Sequence, residues 1–116
     1  MSPVTRLASL ADAEAMLAAS QRAPVLLLKH SATCPVSAGA HVQFEALDGP
    51  GDVARYVVVV QEARPVSTWL AAALDVPHET PQAVLIADGA AVHAVSHRHI
   101  RTSALRAAVQ AHADLH

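Results

Sequence analysis

The 116-residue sequence predicts an α/β fold in which a mixed central sheet is flanked by about four helices. Short apolar or β-branched runs alternate with segments of helical periodicity, which requires parallel strands joined by crossover helices. The Asp88-Gly89 pair signals a tight hairpin and therefore an antiparallel edge. A chain of this length can bury a core without disulfides, so we expect a single domain over residues 1–116.

The first half of the chain predicts two helices around one buried strand. A Ser-x-x-Asp capping box begins a helix from about Ser9 to Ser20. The apolar run Val25–His30 is typical of a buried strand. Apolar residues then recur at helical spacing from Pro35 to Leu47. The cluster DGPGD, residues 48–52, predicts a turn that ends this second helix.

The second half predicts three strands and two helices. The strands are Tyr56–Gln61, Gln82–Ala87 and Ala91–Ser96. Pro65 opens a helix whose apolar stripe is Val66, Trp69, Leu70 and Ala73, and Thr102 caps a last helix with Leu105, Ala108 and Val109 inward. The order α-β-α-β-α-β-β-α is the thioredoxin-like arrangement with a four-stranded mixed sheet. A flavodoxin-like sheet, the alternative, would require a fifth parallel strand and no Asp-Gly hairpin.

Composition and charge exclude several classes of function. The net charge is −2 with the histidines neutral, which gives no general reason to bind nucleic acid. The longest apolar runs, VLLL and YVVVV, are far shorter than the roughly 18 residues of a membrane span. The N-terminal segment carries acidic residues where a signal peptide needs a basic and then an apolar stretch. We therefore expect a cytoplasmic protein that binds neither nucleic acid nor membranes.

Cys34 is the only cysteine, so an internal disulfide is excluded and a reducing compartment is indicated. It follows a predicted strand and precedes Pro35, a residue favoured at the first helical position. As the N-cap of that helix, Cys34 would face the backbone N–H groups of Val36 and Ser37 and the positive end of the helix dipole. Both favour the thiolate, which is the nucleophilic form of cysteine.

Neighbouring side chains can support this chemistry. Thr33 and the Ser37 hydroxyl can add hydrogen bonds, and Lys29 and His30 can add positive charge where their side chains reach the thiol. The alternative is a buried, inert cysteine at a strand end. The succession of strand, cysteine, proline and helix favours the reactive thiol.

Thr80-Pro81 is the second signal, because a proline at the start of a strand removes a hydrogen-bond donor from the sheet. In a thioredoxin-like sheet a cis-proline at this position faces the cysteine. It leaves the backbone N–H and C=O of the preceding residue free to pair with an extended disulfide substrate. The sequence therefore predicts a cis bond at Pro81 and a substrate-facing backbone at Thr80.

The loop SHRHIRT, residues 96–102, should lie beside both signals. Its basic members His97, Arg98 and Arg101, with free N–H groups behind Thr102, favour the binding of carboxylates. The alternative is a solvated polar loop. A metal site formed by His93, His97 and His99 is a further alternative, but no closing ligand of known spacing accompanies them, so no metal is expected.

Four blocks of the sequence together resemble the monothiol bacilliredoxin-like redox proteins of the bacillithiol system (the YtxJ type). The blocks are KHSATCPVSAGA, VVQEARPVS, VPHETPQAVLI with DG, and SHRHIRTSAL. The resemblance runs from about Val25 to Leu105. It implies a thioredoxin-like fold and one redox cysteine, Cys34. The family's Cys-Pro and Ser-Pro-Gln motifs fall on Cys34-Pro35 and Thr80-Pro81-Gln82, with a conservative change from serine to threonine.

The resemblance also implies a partner thiol, bacillithiol, as co-substrate. Cys34 would attack the bacillithiol sulfur of a mixed disulfide on a client protein, and a second bacillithiol would then release Cys34. Lys29, Arg64, Arg98 and Arg101 are the candidates for holding the malate carboxylates of bacillithiol, although Arg64 fits a helix cap or a surface ion pair equally well. The predicted partners are bacillithiol and bacillithiolated clients, and the protein would be a monomer or a weak dimer.

Two other classes of function remain open at this point. One is an iron–sulfur carrier in which a dimer shares a cluster between Cys34 and an external thiol, as monothiol glutaredoxin-like proteins do. The other is a non-catalytic thioredoxin-like adaptor. In an adaptor, Cys34 should titrate like an ordinary free thiol, near about 8.5.

Overall fold

The computed structural model describes residues 4–47 and 53–112. The strands within these residues are β1 (Val4–Arg6), β2 (Val25–His30), β3 (Ala54–Val59), β4 (Gln82–Ala87) and β5 (Ala90–Ser96). The helices are α1 (Leu10–Ala19), α2 (Pro35–Glu45), α3 (Arg64–Leu74) and α4 (Thr102–Ala111), with a short 3-10 turn at His97–His99. The predicted turn at residues 48–52 lies outside the described residues. The predicted alternation of helices and strands is confirmed.

The described strands form one mixed sheet in the order β1-β3-β2-β4-β5. β1 and β2 both pair with β3 in parallel, whereas β4 is antiparallel to β2 and β5 is antiparallel to β4. The sheet therefore has five described strands, and the prediction of four was wrong. The additional strand β1 has three residues, which is too short for its alternation to be recognised in a sequence.

Several predicted boundaries were displaced by one to two residues. β3 ends at Val59, because residues 60–62 turn away from the sheet before α3 begins at Arg64. In α3 the buried apolar residue of the last turn is Leu74, whereas Ala73 is exposed. The prediction of an inward Ala73 was wrong because helical spacing alone does not fix how a helix is rotated against its sheet.

Two helices cover each face of the sheet. α1 and α3 pack on one face, where Met16 and Leu70 meet the β2 residue Leu27. α2 and α4 pack on the other face, where Phe44 and Leu105 belong to the second core cluster. β2 is buried on both faces, which explains why its sequence is continuously apolar up to Leu28. None of the described helices is long and apolar enough to cross a bilayer.

The hairpin between β4 and β5 has the predicted Asp-Gly turn. Asp88 and Gly89 have φ angles of 54° and 76°, the left-handed conformations that a two-residue type I′ turn requires. Ser20, at the end of α1, fixes the turn: its carbonyl accepts from Asp88 N–H and its hydroxyl oxygen accepts from Gly89 N–H, each at 2.9 Å. Glycine is favoured at position 89 by its positive φ, because other residues with a Cβ atom rarely adopt this conformation.

Candidate active site

Cys34 is the N-cap of α2 and Pro35 is the first residue of that helix, as the sequence predicted. The thiol is half-buried, so it can be reached from solvent. Its side chain closes no capping hydrogen bond, but it lies at the start of α2, where the backbone N–H groups of Ser37 and Val36 have no partner within the helix. These two N–H groups, with a smaller contribution from the Ser37 hydroxyl, hold the pKa of Cys34 below its ordinary value against the opposing effect of burial. The position therefore favours a thiolate.

Ser37 joins the thiol to the loop that precedes it. Its side chain is buried, and its hydroxyl oxygen accepts the backbone N–H of Ser31 at 3.3 Å. A serine hydroxyl can accept from one group while donating to another, so the same oxygen can serve Ser31 and the Cys34 sulfur. The hydroxyl oxygen of Thr33 accepts a hydrogen bond from the side chain of Gln61 at 3.3 Å.

The Thr80-Pro81 peptide bond is cis, as predicted. Pro81 is buried at the start of β4, and its carbonyl accepts the backbone N–H of His97 at 2.9 Å. This bond joins the proline loop to the His97–His99 turn, so the second and third predicted signals are adjacent in the structure. Thr80 is half-buried beside them.

A groove of about 470 Å³ runs between α2 and the loop that follows β5. Its apolar part comes from Pro35, Val36, Ala40 and Ile100, and its polar part from Gln43, His97, Arg98 and Arg101, with Gly39 between them. Pro35 and Val36 directly follow Cys34, so the groove begins next to the thiol. Within residues 4–47 and 53–112, none of the residues that line the groove is acidic. It therefore suits an anionic ligand that also has an apolar portion.

The sequence predicted free backbone N–H groups at the N-terminal end of α4, but the N–H of Thr102 is already hydrogen-bonded. The N-cap of α4 is Arg101, so the prediction that Thr102 caps the helix was wrong by one residue. Thr102 is the first helical residue, and its backbone N–H donates to the side-chain oxygen of Gln43 at 2.8 Å. Its hydroxyl donates to the Gln43 backbone carbonyl at 2.7 Å. The Thr102 N–H group is therefore already paired with α2. In the groove, the guanidinium groups of Arg98 and Arg101 remain as the donors for a carboxylate.

Five predicted binding residues lie outside the groove lining: Thr80 and Pro81, described above, and Lys29, Gln82 and Arg64. Lys29 is buried, with 1% of its surface exposed, and its amine lies 3.4 Å from Nδ1 of His78. Gln82 is also buried, and its amide nitrogen donates to the Pro77 carbonyl at 3.0 Å. Arg64 is exposed at the start of α3. The structure thus joins Pro81 to the basic loop through His97, and this loop lines the same groove as Pro35 and Val36, the residues after Cys34. Lys29, Arg64 and Gln82 are not part of the groove lining.

The structure bears on two alternatives that the sequence left open for the histidines, a positive charge on His30 and a metal site at His93, His97 and His99. Burial, followed by the neighbouring His41, lowers the pKa of His30, so this imidazole is neutral at pH 7. β5 ends at Ser96, so His97 and His99 belong to the 3-10 turn and do not alternate with His93 along one strand. Among the described residues, no group of three His, Cys, Asp or Glu side chains is placed to hold a metal ion.

Sequence reasoning missed three residues that shape the site. Gln61 bonds to the loop before Cys34, Gln43 pairs with the first residue of α4, and Gly39 opens the groove floor. Gln61 lies in the block VVQEARPVS, which the resemblance had already selected as a unit. Gln43 and Gly39 sit at helical positions that carry no local signal of a contact with the loop after β5.

Comparison with known proteins agrees with this geometry. A solved chain described as a candidate oxidoreductase with a thioredoxin fold is 34% identical, covers 90% of this chain and 92% of its own, and has a TM-score of 0.81. The thioredoxin of Malassezia sympodialis (19% identity, 97% and 92% coverage, TM-score 0.78) and an N21Q thioredoxin from Halobacterium salinarum (22%, 100% and 97%, 0.76) share the fold. The chain is thus a thioredoxin-fold protein with a single cysteine at the N-terminus of α2.

The family model described as monothiol bacilliredoxin BrxC matches residues 5–105. This range includes every residue assigned above to the thiol site and the groove. The chain belongs to the monothiol bacilliredoxin family.

Proposed function

We propose that the protein is a monothiol thiol–disulfide oxidoreductase that removes bacillithiol from mixed disulfides on cytoplasmic client proteins. The observation that carries the proposal is the position of Cys34, the only cysteine of the chain, at the N-cap of α2, where the backbone N–H groups of Ser37 and Val36 lower the pKa of its thiol. Membership of the monothiol bacilliredoxin family supports bacillithiol as the partner thiol.

The reaction has two exchange steps. The Cys34 thiolate attacks the bacillithiol sulfur of the mixed disulfide, a Cys34–bacillithiol disulfide forms, and the client leaves as a thiolate that takes a proton from water. The thiolate of a second bacillithiol then attacks the sulfur of the bound bacillithiol. Cys34 leaves as a thiolate, and the two bacillithiols depart as one disulfide. One free bacillithiol thiol is therefore oxidised for each client thiol that is recovered, and no second protein cysteine takes part.

The groove beside Cys34 supports recognition of the small thiol. In this proposal the malate carboxylates of bacillithiol pair with Arg98 and Arg101, whose planar guanidinium groups suit bidentate bonds to carboxylates. His97 lies on the same side of the groove. Lys29 and Arg64 are weaker candidates for this role, because the first is buried against His78 and the second lies outside the groove lining.

The proline loop has a separate part in the proposal. Thr80 would present its backbone to the extended disulfide, with Pro81 holding the loop beside the His97–His99 turn through the bond from His97 N–H. Gln82 would act indirectly, because it is buried and holds the Pro77 carbonyl.

Intact mass spectrometry tests the proposal. The reduced protein is mixed with oxidised bacillithiol and, in parallel, with oxidised glutathione, and transfer from a bacillithiolated client is then followed. We expect one bacillithiol adduct per chain, none in Cys34→Ser, faster formation than with glutathione, and recovery of the client thiol. Equal rates with both disulfides, or no adduct, would contradict a dedicated bacillithiol enzyme.

A further inference from the structure

Gln61 contacts the loop before Cys34 through both ends of its side-chain amide. Its Oε1 atom accepts the backbone N–H of Ala32 at 3.1 Å. Its Nε2 atom donates to the Ser31 hydroxyl at 2.7 Å and to the Thr33 hydroxyl at 3.3 Å. One side chain, 28 to 30 positions along the sequence, thus bonds to each of the three residues between β2 and Cys34.

The segment that carries Gln61 is itself fixed to the sheet. Val60 N–H donates to the carbonyl of His30 at 2.9 Å, and this bond extends the β2–β3 pairing by one position. Glu62 N–H turns back to the Val59 carbonyl at 3.0 Å, and the Glu62 carboxylate pairs with Arg6 of β1. The residues on either side of Gln61 are therefore both bonded to the sheet, Val60 to β2 and Glu62 to β1 and β3.

The loop held by Gln61 is also hydrogen-bonded to the residues around the thiol. Ser31 N–H donates to the buried Ser37 hydroxyl oxygen, and the Cys34 N–H group lies 3.5 Å from the Ser31 carbonyl oxygen. Ser31 is thus bonded to Gln61 on one side and to Ser37 on the other. Ser37 is also the residue whose N–H and hydroxyl face the Cys34 sulfur.

We propose that Gln61 is a positioning residue for thiol–disulfide exchange, which holds residues 31–33 so that the Cys34 sulfur stays aligned with the N–H groups at the start of α2. The inference rests on the proposed function, because it assumes that Cys34 reacts as a thiolate. Residues 31–33 belong to neither a helix nor a strand. The side-chain amide of Gln61 therefore links this loop to the turn that follows β3.

An amide matches both kinds of partner in this loop. Ala32 N–H donates to the side-chain oxygen of Gln61, and the hydroxyl oxygens of Ser31 and Thr33 accept from its side-chain nitrogen. A glutamine has both groups in one planar unit. A glutamate at position 61 would keep the acceptor, lose the donor and add a negative charge beside a thiolate.

The test is the pH dependence of Cys34 alkylation by iodoacetamide, a small neutral reagent, in the full chain. The variants are Gln61→Met, which keeps the length without polar atoms, Gln61→Glu, and Gln110→Met as a matched control on an exposed face of α4. The wild-type chain unfolded in urea gives the reference midpoint of an unperturbed thiol. Thermal unfolding of each variant is measured in parallel.

We expect the alkylation midpoint to rise in Gln61→Met and to rise further in Gln61→Glu, with the Gln110→Met midpoint unchanged. The rate at pH 7 should fall roughly 3- to 10-fold in Gln61→Met, the effect expected when hydrogen bonds to a thiolate lose their alignment. A lower melting temperature with an unchanged midpoint would overturn the inference, because Gln61 would then act on stability alone. A folded wild-type midpoint equal to that of the unfolded chain would instead overturn the proposed function.

Discussion

The Lys29 amine lies 3.4 Å from Nδ1 of His78 and is shielded from solvent by the chain around it. The Ser67 hydroxyl lies at the same 3.4 Å distance from that imidazole nitrogen. Burial lowers the pKa of Lys29, and burial followed by the Lys29 charge lowers the pKa of His78. A lysine near a redox cysteine suggests a positive charge that binds substrate. The Lys29 amine instead lies against the imidazole of His78, which is two positions before Thr80 in the sequence.

Replacing Lys29 by methionine should change the pH dependence of stability at alkaline pH. Because the folded pKa of Lys29 is lowered from 10.5, the unfolded chain binds more protons between that lowered pKa and 10.5. Wild-type stability therefore gains from this group as the pH rises through that window. In urea unfolding, we expect the unfolding free energy of the wild type to rise relative to that of Lys29→Met between pH 7 and pH 10.

The lysine experiment contains its own control, because Lys29 is the only lysine in the sequence. Tyr56, the only tyrosine, is present in both proteins and cancels in the difference. A difference in unfolding free energy that stays constant over the range would show that Lys29 titrates in the folded protein as it does in the unfolded chain.

The lowered pKa of His78 should reduce the free energy of unfolding at acid pH. Its folded pKa is lowered from 6.5, so the unfolded chain takes up the proton first as the pH falls, and the folded state loses stability from about pH 6.5 downward. His78→Gln should lessen this loss in thermal melts between pH 7 and pH 5. Part of the loss should remain, because the pKa of His30 is also lowered. His93→Gln on the exposed surface of β5 is the control, and an equal effect from it would contradict the assignment to His78.

The features that were predictable from the sequence are those set by neighbouring residues. A proline directly after a cysteine fixes the first turn of a helix locally, so Cys34 could be identified as an N-cap without a structure. A serine capping box and an Asp-Gly turn are local in the same way. The predicted chain order of these elements was enough to suggest the fold, and only the short edge strand β1 was omitted.

The contacts that shape the site join residues far apart in the sequence. Gln61 reaches back about 30 positions to Ser31, and Thr102 reaches 59 positions to Gln43. No periodicity marks such pairs. The burial of Lys29 could not be predicted from local sequence either. A charged residue near the end of an apolar strand can point to solvent or into the protein, and its sequence neighbours do not determine which.

Ser37→Ala should raise the pKa of Cys34 and weaken the loop before it. The variant keeps the backbone N–H groups of Ser37 and Val36, so the thiol should still titrate below its ordinary value. The Ser31 N–H loses its acceptor, which should cost about 1 kcal/mol of unfolding free energy. Alkylation against pH and urea unfolding measure the two effects. Ser103→Ala, exposed on α4, is the control, and an unchanged Cys34 midpoint would exclude a role for the hydroxyl.

Arg98→Ala and Arg101→Ala should weaken exchange with an anionic small thiol. Both side chains line the groove and are exposed, so each should raise KM for bacillithiol disulfide by roughly 3- to 10-fold at low salt. The effect should shrink in 0.5 M salt, since exposed charges are screened. Bis(2-hydroxyethyl) disulfide, which carries no charge, should react at the wild-type rate. Arg106→Ala on α4 is the control, and an equal loss with this uncharged disulfide would point to a folding defect.

Gly39 allows the groove to be closed without disturbing the core. A Cβ atom built there meets nothing within 4 Å, so a side chain at position 39 enters the groove rather than a neighbour. Gly39→Ala should therefore stabilise the protein by about 0.5–1 kcal/mol, the usual gain when a glycine inside a helix is replaced by alanine. Gly39→Leu should keep most of that gain while filling the space beside Pro35 and Ile100.

Exchange by Gly39→Leu should slow markedly with bacillithiol disulfide, because the ligand and the leucine side chain compete for the same space. Its reaction with iodoacetamide, which needs only the thiol, should stay close to wild type. Ala38→Leu is the matched control: it adds the same side chain one position away, on an exposed part of α2 outside the groove lining. Equal exchange rates for the two leucine variants would mean that the small thiol reaches Cys34 without entering the groove.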